Sequence, residues 1–159
     1  MNNYYIDIQN ATGQPLPVSE ELLMKWASLA LKERQKAAEL TIRIVNPEEM
    51  IGLNYTYRKQ NKATNVLAFP SSLPDTIKLD HPLLGDVIIC PEVLLEESKQ
   101  YNKSLHEHWS LIVVHGVLHL LGYDHIEEQD AAVMQGIEIK LLAELGYANP
   151  YETEEYNLE

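Results

Sequence analysis

The stretch His106-Glu107-His108-Trp109-Ser110-Leu111-Ile112-Val113-Val114-His115-Gly116-Val117-Leu118-His119-Leu120-Leu121 decides the fold. Its only formal charge is at Glu107, and its apolar side chains run almost all round the helical circumference instead of forming one stripe. Such a segment predicts a helix buried on every side, the central one of its domain. Gly122 is placed to stop it in a left-handed conformation. The nearly uncharged part, Trp109 to Tyr123, is shorter than the roughly 20 residues a bilayer core requires and carries two histidines, so it reads as core and not as a membrane span.

A central helix has to be wrapped by other layers, and the flanking sequence supplies them. Tyr4 to Gln9 and Glu39 to Asn46 read as strands, the second with Leu40, Ile42 and Ile44 alternating with Thr41, Arg43 and Val45. Val66 to Phe69 is a short strand closed by Pro70. Val87 to Cys90 is another, and its unbroken apolar run predicts burial on both faces. A helix is expected from Glu20, behind Ser19, to about Ala37 or Ala38, because Leu22, Leu23, Trp26, Leu29 and Ala30 recur at helical spacing. Asn46-Pro47-Glu48-Glu49 offers an N-cap, a proline at the first helical position and two carboxylates for a second helix through about Tyr57. Helices over Pro91 to Lys103 and Gln129 to Leu145 follow, with a turn-rich excursion over Ser71 to His81. The reading is an α/β (α+β) fold, a small mixed β-sheet flanked by helices around a buried central helix. Residues 1–146 form one domain, and the acidic, aperiodic 147–159 are expected to be a mobile tail whose removal after Ala148 changes little.

Of the formal charge of −12, nearly all lies in one half. Residues 1–79 hold nine basic against eight acidic side chains, whereas residues 80–159 hold three against sixteen. A polyanionic ligand would therefore have to meet a local basic surface, since the average field repels it. Arg58, Lys59 and Lys62 form the densest basic cluster, in a loop expected over Arg58 to Ala63. Cys90 is the single cysteine, which excludes an internal disulfide and reads as a small buried hydrophobe. Met1 to Asn10 has neither a basic start nor an apolar run, and the chain is expected to be cytoplasmic, with no membrane partner.

His115 and His119 are four apart, which on a helix puts both imidazoles on one face. Gly122 then breaks the helix, and His125, six residues beyond His119, is close enough in the chain to fold back onto the same ion. Unpartnered imidazoles in so apolar a helix would be costly, and a shared metal removes that cost. Three neutral imidazoles around one zinc ion leave a fourth position open, as in catalytic sites. The spacing coincides with the protease motif H-E-x-x-H-x-x-G-x-x-H, but Gly116 stands where that motif has its general base, so peptidase is the second reading. His81, His106 and His108 need no function. Asp124 serves either to orient an imidazole or to cap the turn, and Asp86 reads as the residue that opens a strand.

With glycine at 116, the string His115 to His125 resembles the signature of the YbeY endoribonuclease family. Asn54-Tyr55-Thr56-Tyr57-Arg58 with Thr64-Asn65-Val66-Leu67-Ala68-Phe69-Pro70 is similar to that family's second motif, and Leu84-Gly85-Asp86-Val87-Ile88-Ile89 to its third. The similarity spans about residues 40 to 146 and departs at Ala68, where members commonly have serine. The resemblance implies one zinc per chain held by His115, His119 and His125, single-stranded RNA as substrate, and work on ribosomal RNA beside the ribosome or small-subunit assembly proteins. It singles out Arg58 as the catalytic phosphate-binding residue, with Lys59 and Lys62 on the RNA backbone. A non-catalytic assembly factor with a stabilising metal is the third reading.

Overall fold

The computed structural model describes residues 3–71, 81–124 and 126–152, so most of the turn-rich excursion and His125 lie outside the described residues. In chain order the elements are β1 (Asn3–Asn10), α1 (Glu20–Leu31), β2 (Ala37–Ile44), α2 (Pro47–Arg58), β3 (Val66–Pro70), β4 (Leu83–Ile89), α3 (Pro91–Gln100), α4 (Leu105–Leu120) and α5 (Glu128–Glu144). The four strands form one mixed sheet in the order β1-β2-β4-β3. β1, β2 and β4 are parallel, and β3 runs antiparallel to β4.

Alternation in the strands sorts the side chains onto two faces. Leu40, Ile42 and Ile44 of β2, Val87 and Ile89 of β4 and Val66 of β3 join α1, α4 and α5 in the main core. On the opposite face Leu67, Ile88 and Cys90 meet Val45 and Met50 in a second, smaller core beneath α2. The Val87 to Cys90 run is thus buried on both sides, as its composition requires. Burial pushes the Cys90 thiol above its ordinary range, which leaves it an inert core residue. Gly85, at φ 137°, pairs with Pro70 where any Cβ would run into the Phe69 carbonyl, so only glycine lets β3 approach β4 there.

The helix boundaries follow from their caps. Ser104 accepts from the Glu107 amide and starts α4, of whose sixteen residues twelve are buried, so it is the central helix the composition predicts. Gly122, at φ 100°, ends it, with the Tyr123 amide donating to the Leu118 carbonyl. α3 stops at Gln100, three residues earlier than expected, because Asn102 adopts a left-handed conformation and the Lys103 amide donates to the Ser98 carbonyl. The α1 expectation is corrected more substantially: the helix ends at Leu31, and Ala37 and Ala38 belong to β2. Both alanines favour helix intrinsically, but their parallel pairing with Asn3 and Tyr4 prevails. The Tyr4 hydroxyl secures that turn by donating to the Gln35 carbonyl at 2.5 Å.

Candidate metal centre

The i, i+4 spacing on α4 brings His115 and His119 together. Their rings meet edge to face, and the two Nε2 atoms are 3.1 Å apart. Two imidazoles on a tetrahedral zinc, with bonds of about 2.0–2.1 Å, place their nitrogens about 3.3 Å apart, so this pair fits a shared ion. His115 is buried, and the half-buried His119 lines a cleft of 430 Å³. Among the described residues no group of three side chains of metal-binding type converges. His125 is outside them, so the third expected ligand has no position to report.

Behind His115 stands a support the sequence reading missed. Nδ1 of His115 is 2.7 Å from Oε2 of Glu138, a carboxylate on α5 that is 1% exposed. An ionised carboxylate accepts only, so it fixes the proton on Nδ1 and turns the Nε2 lone pair toward His119. The other oxygen, Oε1, accepts from the Tyr151 hydroxyl at 2.7 Å. Met134, Glu138 and Leu141 recur at helical spacing and are all buried. A carboxylate on that apolar stripe was the available signal.

Tyr151 also overturns the expected tail boundary. Tyr147 and Tyr151 pack against the main core and Pro150 is buried, so the chain is docked through this segment instead of free from residue 147. Removal after Ala148, expected from the sequence to change little, would strip Glu138 of a hydroxyl donor.

Gly116 has a packing reason. A Cβ there would sit 2.6 Å from Cγ1 of Val87 and 3.4 Å from Cγ2 of Val66, where α4 lies on the sheet. The position that holds a general base in the protease motif is here pressed against β3 and β4. Gly116→Ala should therefore lower the stability by about 1–3 kcal/mol through overpacking, measured by urea denaturation. An unchanged midpoint would show that Val87 yields freely.

Arg58, expected in a loop, is instead the last residue of α2 and lines the same cleft as His119. Lys59 caps α2 in a left-handed conformation, and the Lys62 carbonyl accepts from the side-chain amide of buried Asn54 at 2.9 Å; neither lines the cleft. Asp124 lines it, and its Oδ1 accepts from the Ile126 amide, which caps the turn. Asp86 is exposed on β4. The other described histidines have packing partners: buried His108 lies 2.9 Å from Glu97, His106 meets the Trp26 ring and His81 the Tyr5 ring.

A histidine pair backed by a carboxylate, in a cleft that an arginine also lines, is side-chain chemistry compatible with a metal ion and an anionic ligand. Comparison with known proteins narrows the class. The family model described as Endoribonuclease YbeY matches residues 7–146, and the chain belongs to that family. A protein named endoribonuclease YbeY from Legionella pneumophila (strain Paris) is 69% identical over 98% of this chain and 99% of its own length. Another so named, from Pseudomonas putida (strain KT2440), is 49% identical over 94% of each. The solution structure of TM1509 from Thermotoga maritima, 22% identical, superimposes with a TM-score of 0.61 over 93% of this chain and 99% of that one, a likeness of fold.

Proposed function

We propose that this chain is a metal-dependent endoribonuclease that hydrolyses phosphodiester bonds in single-stranded RNA, with ribosomal RNA in maturation and quality control as its substrate class. The observation that carries the reading is the approach of the His115 and His119 nitrogens to each other, where His119 lines a cleft that Arg58 also lines. The names of its relatives support the same activity. His115, His119 and His125 would hold one zinc ion. When bound, it supplies Lewis-acid polarisation of a phosphate and acidifies water toward a pKa of about 7.

The chain's own residues do the rest. A bond from a water oxygen to phosphorus forms as one P–O ester bond breaks; one proton of that water ends on the departing oxygen and the other leaves with the new phosphate monoester or passes to solvent. Arg58 binds the phosphate through its planar fork and offsets the charge that grows on the equatorial oxygens. Lys59 and Lys62 lie just beyond the end of α2 and meet the RNA backbone, in the half of the chain where acidic residues do not prevail. Glu138 holds His115 in one tautomer and one rotamer, and Tyr151 holds Glu138. Among the described residues no helix is long and apolar enough to cross a membrane, which is compatible with work in the cytoplasm beside ribosome-assembly proteins.

The peptidase reading is disfavoured because Gly116 has no room for the base it requires. Metal analysis of the purified protein with cleavage of a single-stranded oligoribonucleotide, before and after chelation, tests the proposal. Bound zinc and chelator-sensitive cleavage are expected. Full zinc with no cleavage would return the chain to a metal-stabilised assembly factor.

The carboxylate behind His115 gives a separate expectation. Glu138→Gln should weaken zinc binding about tenfold to a hundredfold, the usual loss for an outer partner of a ligand. Tyr151→Phe should move the affinity in the same direction by less, and a chain ending at Ala148 should resemble or exceed it. Chelator competition measures all three, and wild-type affinity in Glu138→Gln would remove the carboxylate from the centre.

A further inference from the structure

The cleft has an aromatic wall for which neither the metal nor Arg58 accounts. Tyr57 directly precedes Arg58 in the last turn of α2, and Phe69 lies on β3; both line the cleft that contains His119. Their ring centroids are 4.9 Å apart with planes tilted by 59°, so neither ring is sandwiched by the other. Phe69 is half-buried against the smaller core, which fixes it, whereas Tyr57 is 64% exposed. Leaving an aromatic ring that wet forgoes the burial such side chains normally gain. Exposed aromatics beside a cation are the composition of surfaces on which unpaired bases stack, with the cation taking the phosphate between them.

We propose that Tyr57 and Phe69 form a base-stacking subsite that receives one nucleobase next to the scissile phosphate of the RNA. This rests on the endoribonuclease reading and adds the element that selects single strands. A base in a duplex has both faces covered by its neighbours, so it reaches the ring only after unstacking, while a single-stranded base is free to do so. Arg58, one residue from Tyr57, sets the phosphate, and the ring sets the base attached to it. Stacking requires a π-face and no particular hydrogen-bonding edge, so the subsite tolerates any of the four bases.

The test is a cycle that combines Tyr57→Leu with a single abasic nucleotide moved stepwise along a single-stranded oligoribonucleotide, read as kcat/KM for cleavage. Tyr57→Leu should lower kcat/KM on the intact strand about fivefold to a hundredfold. An abasic nucleotide at one position flanking the cut should lower it similarly in wild type, and the two changes together should cost little more than either alone. Tyr57→Phe should restore most of the lost rate, and the salt dependence should be the same in Tyr57→Leu as in wild type, because no charge is removed. Tyr57 is exposed, so the leucine variant is expected to melt like wild type. Additive losses at every abasic position, or wild-type cleavage by Tyr57→Leu, would overturn the stacking subsite while leaving the nuclease reading intact. Absence of RNA cleavage by the zinc-loaded wild type would overturn both.

Discussion

His119→Ala should yield a folded protein that has lost most of its zinc and about a thousandfold or more of its RNA cleavage. The ion would carry both the polarisation of phosphate and the activation of water, so its loss should exceed the 10²–10³ typical for one electrostatic donor. His119 is only half-buried, and alanine suits a helix, so the metal-free fold should suffer little. His115→Ala should lose zinc equally but differ in stability. Its removal leaves Glu138, 1% exposed, without its imidazole donor, at a cost of about 1–3 kcal/mol even in metal-free protein. Metal content by elemental analysis and paired urea melts of the two apo variants measure this. Full zinc occupancy in His119→Ala would remove it from the ligand set, and equal apo stabilities would show that Glu138 finds another partner.

Arg58→Ala should keep zinc and fold while turnover on single-stranded RNA falls by about tenfold to a thousandfold. The residue ends α2 with its backbone turn completed by Lys59, and nothing in the main core depends on it. If its guanidinium acts on charge that develops during the reaction, kcat drops more than affinity. Arg58→Lys should recover only part, because an ammonium is a point charge and cannot reproduce the fork. Lys59→Ala and Lys62→Ala should act instead on binding and its salt dependence. Single-turnover kinetics separate these effects. Wild-type rates in zinc-loaded Arg58→Ala would leave the reaction to the metal and the other residues of the cleft.

What could be read from the sequence was whatever is local in the chain. His115 and His119 share a helical face by arithmetic, and the circumference of apolar residues around them marks that helix as the central one. The smaller core was foreshadowed by the unbroken Val87 to Cys90 run. Glu138 escaped because its contact with His115 spans 23 residues, and one carboxylate in a helix as polar as α5 usually faces water. Tyr151 escaped because its segment has no periodicity at all; two tyrosine rings, one hydroxyl bond and a buried proline dock it, and together they leave no repeating mark. The overrun of α1 has the opposite cause. Ala37 and Ala38 speak locally for helix, and only the neighbouring strand, more than thirty residues away in sequence, turns them into β2.

The unequal anchoring of the two helices that meet at the cleft gives the site an internal clock. α4 is held by twelve buried residues, so its amides should open only with the whole domain. α2 buries Met50 and Asn54 alone, over a core of five side chains, and should lift from the sheet at a fraction of that free energy. Arg58 and Tyr57 belong to its last turn, so such an opening should carry them away from the histidines of α4. A ligand that spans both elements binds only the closed form and so slows exchange of the α2 amides while leaving those of α4 as they were. The share of time that α2 spends seated multiplies every rate the cleft can reach.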